Sequence, residues 1–181
     1  LFEAVPSSEE GFGAFLGSVG GLIAGLANAS GEALLDAGGR RMRALTAFDR
    51  VTLLVEGSKA TSNRSGVPFQ PGANATLSDN FPALVSDTKA LAVPLFPRRA
   101  KDAAAMAALL RAPSESERAE LVERGFASTM RIPIVRDGHT IGEFRLAHTT
   151  PRHPTLELHA AAELFAQLFA MRLEIDQLKG R

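Results

Sequence analysis

The dipeptide Asp137-Gly138 stands between two runs, 129–135 and 140–148, that alternate in hydrophobicity, and it constrains the fold more than any other feature. A two-residue turn with positive φ at both central positions is made most easily by Asp-Gly, so the runs read as a tight antiparallel hairpin. These are the expected central strands. Residues 48–56, rich in β-branched and apolar side chains and followed by Gly57, read as a third strand, and residues 59–63 can pair with it. Residues 84–86 suit a short edge strand.

Helical periodicity brackets the strands. Phe12, Phe15, Leu16, Val19, Ile23 and Leu26 recur at three- and four-residue steps, and a second helix over 31–45 turns Leu34, Leu35, Met42 and Leu45 inward. The Ala-rich stretch 99–110 favours a helix that Pro113 cannot continue. Ser114 with Glu117 three residues later forms a capping box for a helix reaching Arg124, and Gly125 supplies its stop. Between 64 and 80, Gly66, Pro68, Pro71, Gly72 and Asn74 favour a loop. Residues 156–178 form a long helix in which Leu164, Leu168, Met171, Ile175 and Leu178 follow four-three-four-three spacing, a seam that outlasts the domain. The order predicts an α+β fold, an antiparallel sheet with helices segregated to its faces.

Composition narrows the function. The chain has 181 residues, 45% of them hydrophobic, and a formal net charge of zero, so one core is expected and no global pull toward nucleic acid or membrane. With no Cys it has no disulfide, thiolate nucleophile or thioether-linked cofactor, which suits a cytoplasmic setting. No stretch approaches the roughly 18 apolar residues that span a bilayer. Leu1 is not an initiator Met, and the chain reads as a piece of a larger protein. No nucleophile-elbow, Walker or dinucleotide-binding motif is present, and Glu115, Glu117 and Glu120 read as an exposed helix face, so no catalytic residues are assigned. His139, His153 and His159 lack metal-ligand spacing and read as surface histidines.

The run Arg131-Ile-Pro-Ile-Val-Arg-Asp-Gly-His-Thr-Ile-Gly142 resembles the closing hairpin of GAF domains. Ala147-His-Thr-Thr-Pro-Arg152, leading into Glu163-Leu-Phe-Ala-Gln-Leu-Phe169, is similar to the bacteriophytochrome segment in which a His precedes a Thr-Pro turn and the last long helix. Val93-Pro94-Leu95, Leu110-Arg111 and residues 121–125 match the same family's spacing. The resemblance covers about 45–178 and implies a GAF fold, with a first helix over 1–30, a core over 31–160 and a C-terminal helix over 155–181 continuing toward an output domain.

The resemblance also implies a ligand site. Arg111 falls where the family places an arginine on one bilin propionate, Thr129 where a hydroxyl binds the other, and His148 where a histidine faces ring D. At the end of a strand before Thr-Pro, His148 equally suits a turn-stabilising hydrogen bond. Arg111 equally suits the C-terminal end of a helix dipole. The family's pyrrole-water histidine appears as Glu117 and its adjacent attachment Cys as Ser116, while its Pro-Ala-Ser-Asp-Ile-Pro segment has no counterpart in 66–80. The bacterial attachment Cys lies in a knotted PAS domain, absent from this piece. The resemblance thus implies a signal-input domain of a phytochrome-like protein without covalent bilin and with no assigned cofactor; a non-covalent bilin photoreceptor is the alternative. Arg111 opposed by Glu117 favours a polar or zwitterionic ligand over a polyanion. The terminal helices imply a homodimer through Phe15, Val19, Ile23, Leu168, Met171 and Ile175, and a histidine kinase or diguanylate cyclase as output in the same chain.

Overall fold

The computed structural model describes residues 11–55, 58–63, 83–91, 109–110 and 112–180. Among them the elements run α1 (Gly11–Ala24), α2 (Gly31–Thr46), β1 (Arg50–Val55), β2 (Ser58–Asn63), β3 (Ala83–Val85), α3 (Glu115–Glu123), β4 (Ser128–Arg136), β5 (His139–His148) and α4 (Leu156–Lys179). The loop expected over 64–80 lies outside the described residues. So does most of the helix expected over 99–110, whose last residue, Leu110, forms an isolated parallel bridge with Leu84.

The hairpin forms as the Asp-Gly turn requires. Asp137 and Gly138 have φ of 51° and 77°, the doubly positive geometry of a type I′ turn, and Arg136 pairs with His139. A register shift at Ile134/Val135 adds a residue to β5 and brings Ile134 opposite Gly142. Five antiparallel strands follow the order β2-β1-β5-β4-β3, which puts β5 at the centre and β3 at an edge.

Alternation then sorts the side chains. Val51 and Leu53 of β1, Met130, Ile132 and Ile134 of β4, and Phe144 and Leu146 of β5 form one apolar face, all at most 1% exposed. α2 packs on β1 and β2, α4 packs on β4, and α1 lies against α4 as an outer layer. Phe165 and Phe169, one turn apart on α4, stack at 6.1 Å, and Phe144 reaches both rings at 6.0 and 5.5 Å.

α4 also ties the two N-terminal helices together. Its Arg172 donates to the carbonyls of Leu26, Ala27 and Ala29 beyond the end of α1, where a cation complements the helix dipole. One turn on, Asp176 accepts the Gly31 N–H at 2.9 Å, so a carboxylate meets the first turn of α2. His159 departs from the sequence expectation. It is 5% exposed on the core side of α4, 3.6 Å from Glu163, because its helical position puts it in line with Ala162, Ala166 and Phe169. His139 and His153 are exposed as expected.

Two adjacent glycines of α2 separate packing from propensity. A Cβ on Gly38 would lie 2.5 Å from the Phe169 ring, whereas on Gly39 its nearest neighbour would be Ser62 at 4.0 Å. In urea denaturation, Gly38→Ala is expected to lose about 1–3 kcal/mol through overpacking. Gly39→Ala is expected to gain about 0.5–1 kcal/mol from helix propensity. Equal responses would mean that α2 does not press on Phe169 as described.

Candidate functional site

The sheet face turned away from α2 and α4 carries a different set of residues. Arg50, Thr52 and Leu54 of β1, Thr129 and Arg131 of β4, and Arg145 and Ala147 of β5 share it, and they floor a cavity of about 670 Å³ roofed by α3. That volume falls within the range of small-molecule pockets, about 300–1,000 Å³. Phe126, Leu121 and Pro113 give it apolar wall, while Glu117, Glu120 and Arg124 project from α3 and its end.

α3 is held over the sheet by its termini. Ser114 Oγ accepts the Glu117 N–H at 3.3 Å and the Glu117 carboxylate accepts the Ser114 N–H at 2.9 Å, the reciprocal capping box read from the sequence. Gly125, at φ 73°, lets the chain leave the helix and enter β4.

The electrostatics are those of a cationic floor with a few fixed carboxylates. β4 and β5 set Arg131 directly opposite Arg145, an arrangement that costs a few tenths to about 1 kcal/mol unless compensated. Compensation begins with Glu143, whose side chain is fully buried and accepts from Arg145 Nε. On the wall, Arg124 pairs with Glu120 at 2.6 Å. Arg50 is 6% exposed, with its guanidinium 5.9 Å from the Phe126 ring. Burial, and then the Arg124 charge, lower its pKa below the ordinary arginine range.

The residues anticipated for a ligand are only partly brought together. Glu117 and Thr129 both line the cavity. Arg111 lies outside the described residues. His148 is not among the cavity residues: Ala147 faces the cavity, so the next position in the strand points to the helical side. There the His148 ring meets Phe48 edge-on at 5.9 Å, and its Nδ1 accepts the Thr150 N–H at 3.1 Å. Because Nδ1 serves as that acceptor, its 3.5 Å approach to Asp49 is contact rather than a donated hydrogen bond. Of the two sequence readings of His148, the turn-stabilising one describes this geometry.

Asp49 is the stronger anchor of that turn. At 1% exposure it accepts from the Thr149 N–H at 3.0 Å and from the Thr149 hydroxyl at 2.7 Å, joining the start of β1 to the end of β5. Sequence reasoning did not single out Asp49, Arg50, Arg131 or Arg145. For the two facing arginines the turn alone is not enough: counting outward from Asp137-Gly138 sets Arg131 across from Phe144, and only the extra residue of β5 at the Ile134/Val135 shift brings it opposite Arg145.

The GAF domain family matches residues 30–176, most of the chain. The chain belongs to the GAF family. The GAF fold recurs in solved structures: the chromophore-binding domain of an unusual bacteriophytochrome from R. palustris is 21% identical, with a TM-score of 0.78, over 96% of this chain and 65% of that one. A longer structure of the R. palustris protein gives 0.74 at 21% identity, over 93% of this chain and 38% of that one. The chromophore-binding domain of the Stigmatella aurantiaca bacteriophytochrome, a single-site variant in the Pr state, gives 0.73 at 19% identity, over 93% and 63%. This GAF domain thus spans less than two thirds of the chains it matches. No helix among the described residues is long and apolar enough to cross a membrane.

Replacing Asp49 by Ala strands the Thr149 N–H and hydroxyl in a half-buried turn. Urea denaturation is expected to show a loss of about 1–3 kcal/mol, and the His148 ring signals should move in NMR spectra. Unchanged stability would mean that the turn is held by other contacts.

Proposed function

We propose that this GAF domain is a non-catalytic signal-input module that binds a small molecule in the cavity between α3 and the sheet. The observation that carries the reading is the cavity itself: a sheet face left clear by the helical layer, covered by a short helix and lined by convergent charged and hydroxyl groups. The GAF family assignment and the fold likeness to chromophore-binding domains support it. The chain would act within a longer phytochrome-like signalling protein, with a kinase or cyclase as output.

Non-covalent bilin binding is the second reading, favoured by that same likeness. A protonated bilin is a cation needing acceptors at its pyrrole N–H groups. The guanidinium floor can serve only its propionates, and the use of the Glu117 carboxylate in a helix cap takes away an acceptor for those N–H groups, which disfavours it. Mixing with biliverdin is expected to give no red-absorbing band and, with no Cys in the chain, no zinc-fluorescent band on a denaturing gel. Thermal-shift measurements against small metabolites are expected to raise Tm for at least one chemical class. Ala147→Trp, which fills the cavity floor, should abolish that response. A response that survives the tryptophan would remove this cavity as the site.

The C-terminal seam supports a homodimer. Met171, Ile175 and Leu178 are 61%, 47% and 63% exposed, and Leu16 of α1 is 43% exposed. Val19 is 1% exposed and contributes to the protomer core, while Phe15, Ile23 and Leu168 are half-buried. The apolar surface for a partner is therefore Leu16, Met171, Ile175 and Leu178, flanked by the half-buried three. Burying it is worth about 25 cal/mol per Å² against the association cost. Met171→Glu with Ile175→Glu is expected to give a folded monomer in light scattering, where the parent is a dimer. A monomeric parent, or a mutant that stays dimeric, would contradict this.

A further inference from the structure

We propose that the ligand of this cavity is a small dianion, of dicarboxylate or phosphate chemistry, held between Arg50, Arg131 and Arg145 on the floor and Arg124 on the wall. The inference rests on the sensing role proposed for the cavity and specifies its ligand class. It differs from the zwitterionic ligand that Arg111 and Glu117 alone suggest, because the folded chain brings together cations that are remote in sequence.

Three observations carry it. Five cationic side chains and two carboxylates, Glu117 and Glu120, line the cavity among the described residues. Both carboxylates already have partners within α3 and its end, Glu117 in the capping box and Glu120 with Arg124. The strand register places Arg131 and Arg145 directly opposite each other on the cavity face, and a third arginine, Arg50, is buried within electrostatic reach of Arg124. Like charges gathered at the bottom of a low-dielectric cleft gain from an anion between them, and guanidinium forks match the planar oxygens of carboxylate and the oxygens of phosphate.

The arginines are also prearranged. Glu143 holds Arg145, Glu120 holds Arg124, the Phe126 ring lies beside Arg50, and Arg131 is engaged within the fold. A ligand would therefore meet cations already ordered by the protein, which lowers the ordering cost of binding. Thr52, opposite Arg145, and Thr129, two residues before Arg131, add hydroxyl donors on the same face.

Calorimetric titration of the protein with inorganic phosphate and with succinate, at ionic strength fixed with sodium chloride, tests the proposal. Saturable one-to-one binding of at least one of them is expected, and which one binds identifies the source of the oxyanion. Succinamide, equal in shape and uncharged, should not bind. Arg131→Gln and, separately, Arg124→Gln should weaken binding about ten- to a hundredfold with the circular dichroism spectrum retained. These two are chosen because Arg145→Gln would strand the buried Glu143. Binding of neither anion above the chloride background, or affinity unchanged in both variants, overturns the proposal. If both anions fail while another metabolite class still shifts Tm in an Ala147-dependent way, the anion assignment falls and the sensing role of the cavity stands.

Discussion

Everything in this domain depends on the register of the β4–β5 pairing. The type I′ turn at Asp137-Gly138 sets the pairs beside it, the extra residue of β5 at Ile134/Val135 sets those beyond, and a slip of one from the resulting register would exchange the two faces of the sheet. In the observed register Ile132 meets Phe144 on the apolar side and Arg131 meets Arg145 on the other. The slipped register would bury guanidinium groups under α4 and expose Phe144 to solvent, a cost no surface contact could offset. One turn and one bulge therefore separate the core from the cavity.

From that core, α4 carries the geometry outward. Its Phe165 and Phe169 are locked against Phe144, and its Arg172 and Asp176 grip the junction between α1 and α2. Along the same turns the helix presents Met171, Ile175 and Leu178 to solvent. The sheet that floors the cavity and the seam proposed for a partner are thus joined through one continuous helix. A displacement of β4 or β5 by a ligand would press on the Phe144 cluster, which joins β5 to that helix.

Local signals in the sequence read well where chemistry and spacing act over a few residues. The Asp-Gly turn, the Ser114–Glu117 capping box and the long last helix all form close to their expected positions, because each is decided by neighbours in the chain. The site was less legible because it is decided by which side of a strand a residue occupies. His148 has the right neighbours for a ligand contact, yet strand alternation sends it to the core side with Phe48. Arg131 and Arg145 face each other only because of the bulge at Ile134/Val135, which the alternation of the two runs does not signal. His159 is buried, against the expectation of a surface histidine, for a related reason: α4 uses a broad Ala-and-Phe face toward the core, distinct from the Leu seam that dominates the pattern.

The central claim is that one face of this sheet is core and the other receives an anion. NMR observation of the arginine Nε–Hε and histidine ring signals during titration with phosphate or succinate addresses both halves at once. The account predicts that the Arg131 and Arg145 side-chain signals shift saturably while the ring of His148, packed on the far face, stays in place. Shifts at His148 with the two arginines unmoved would contradict it.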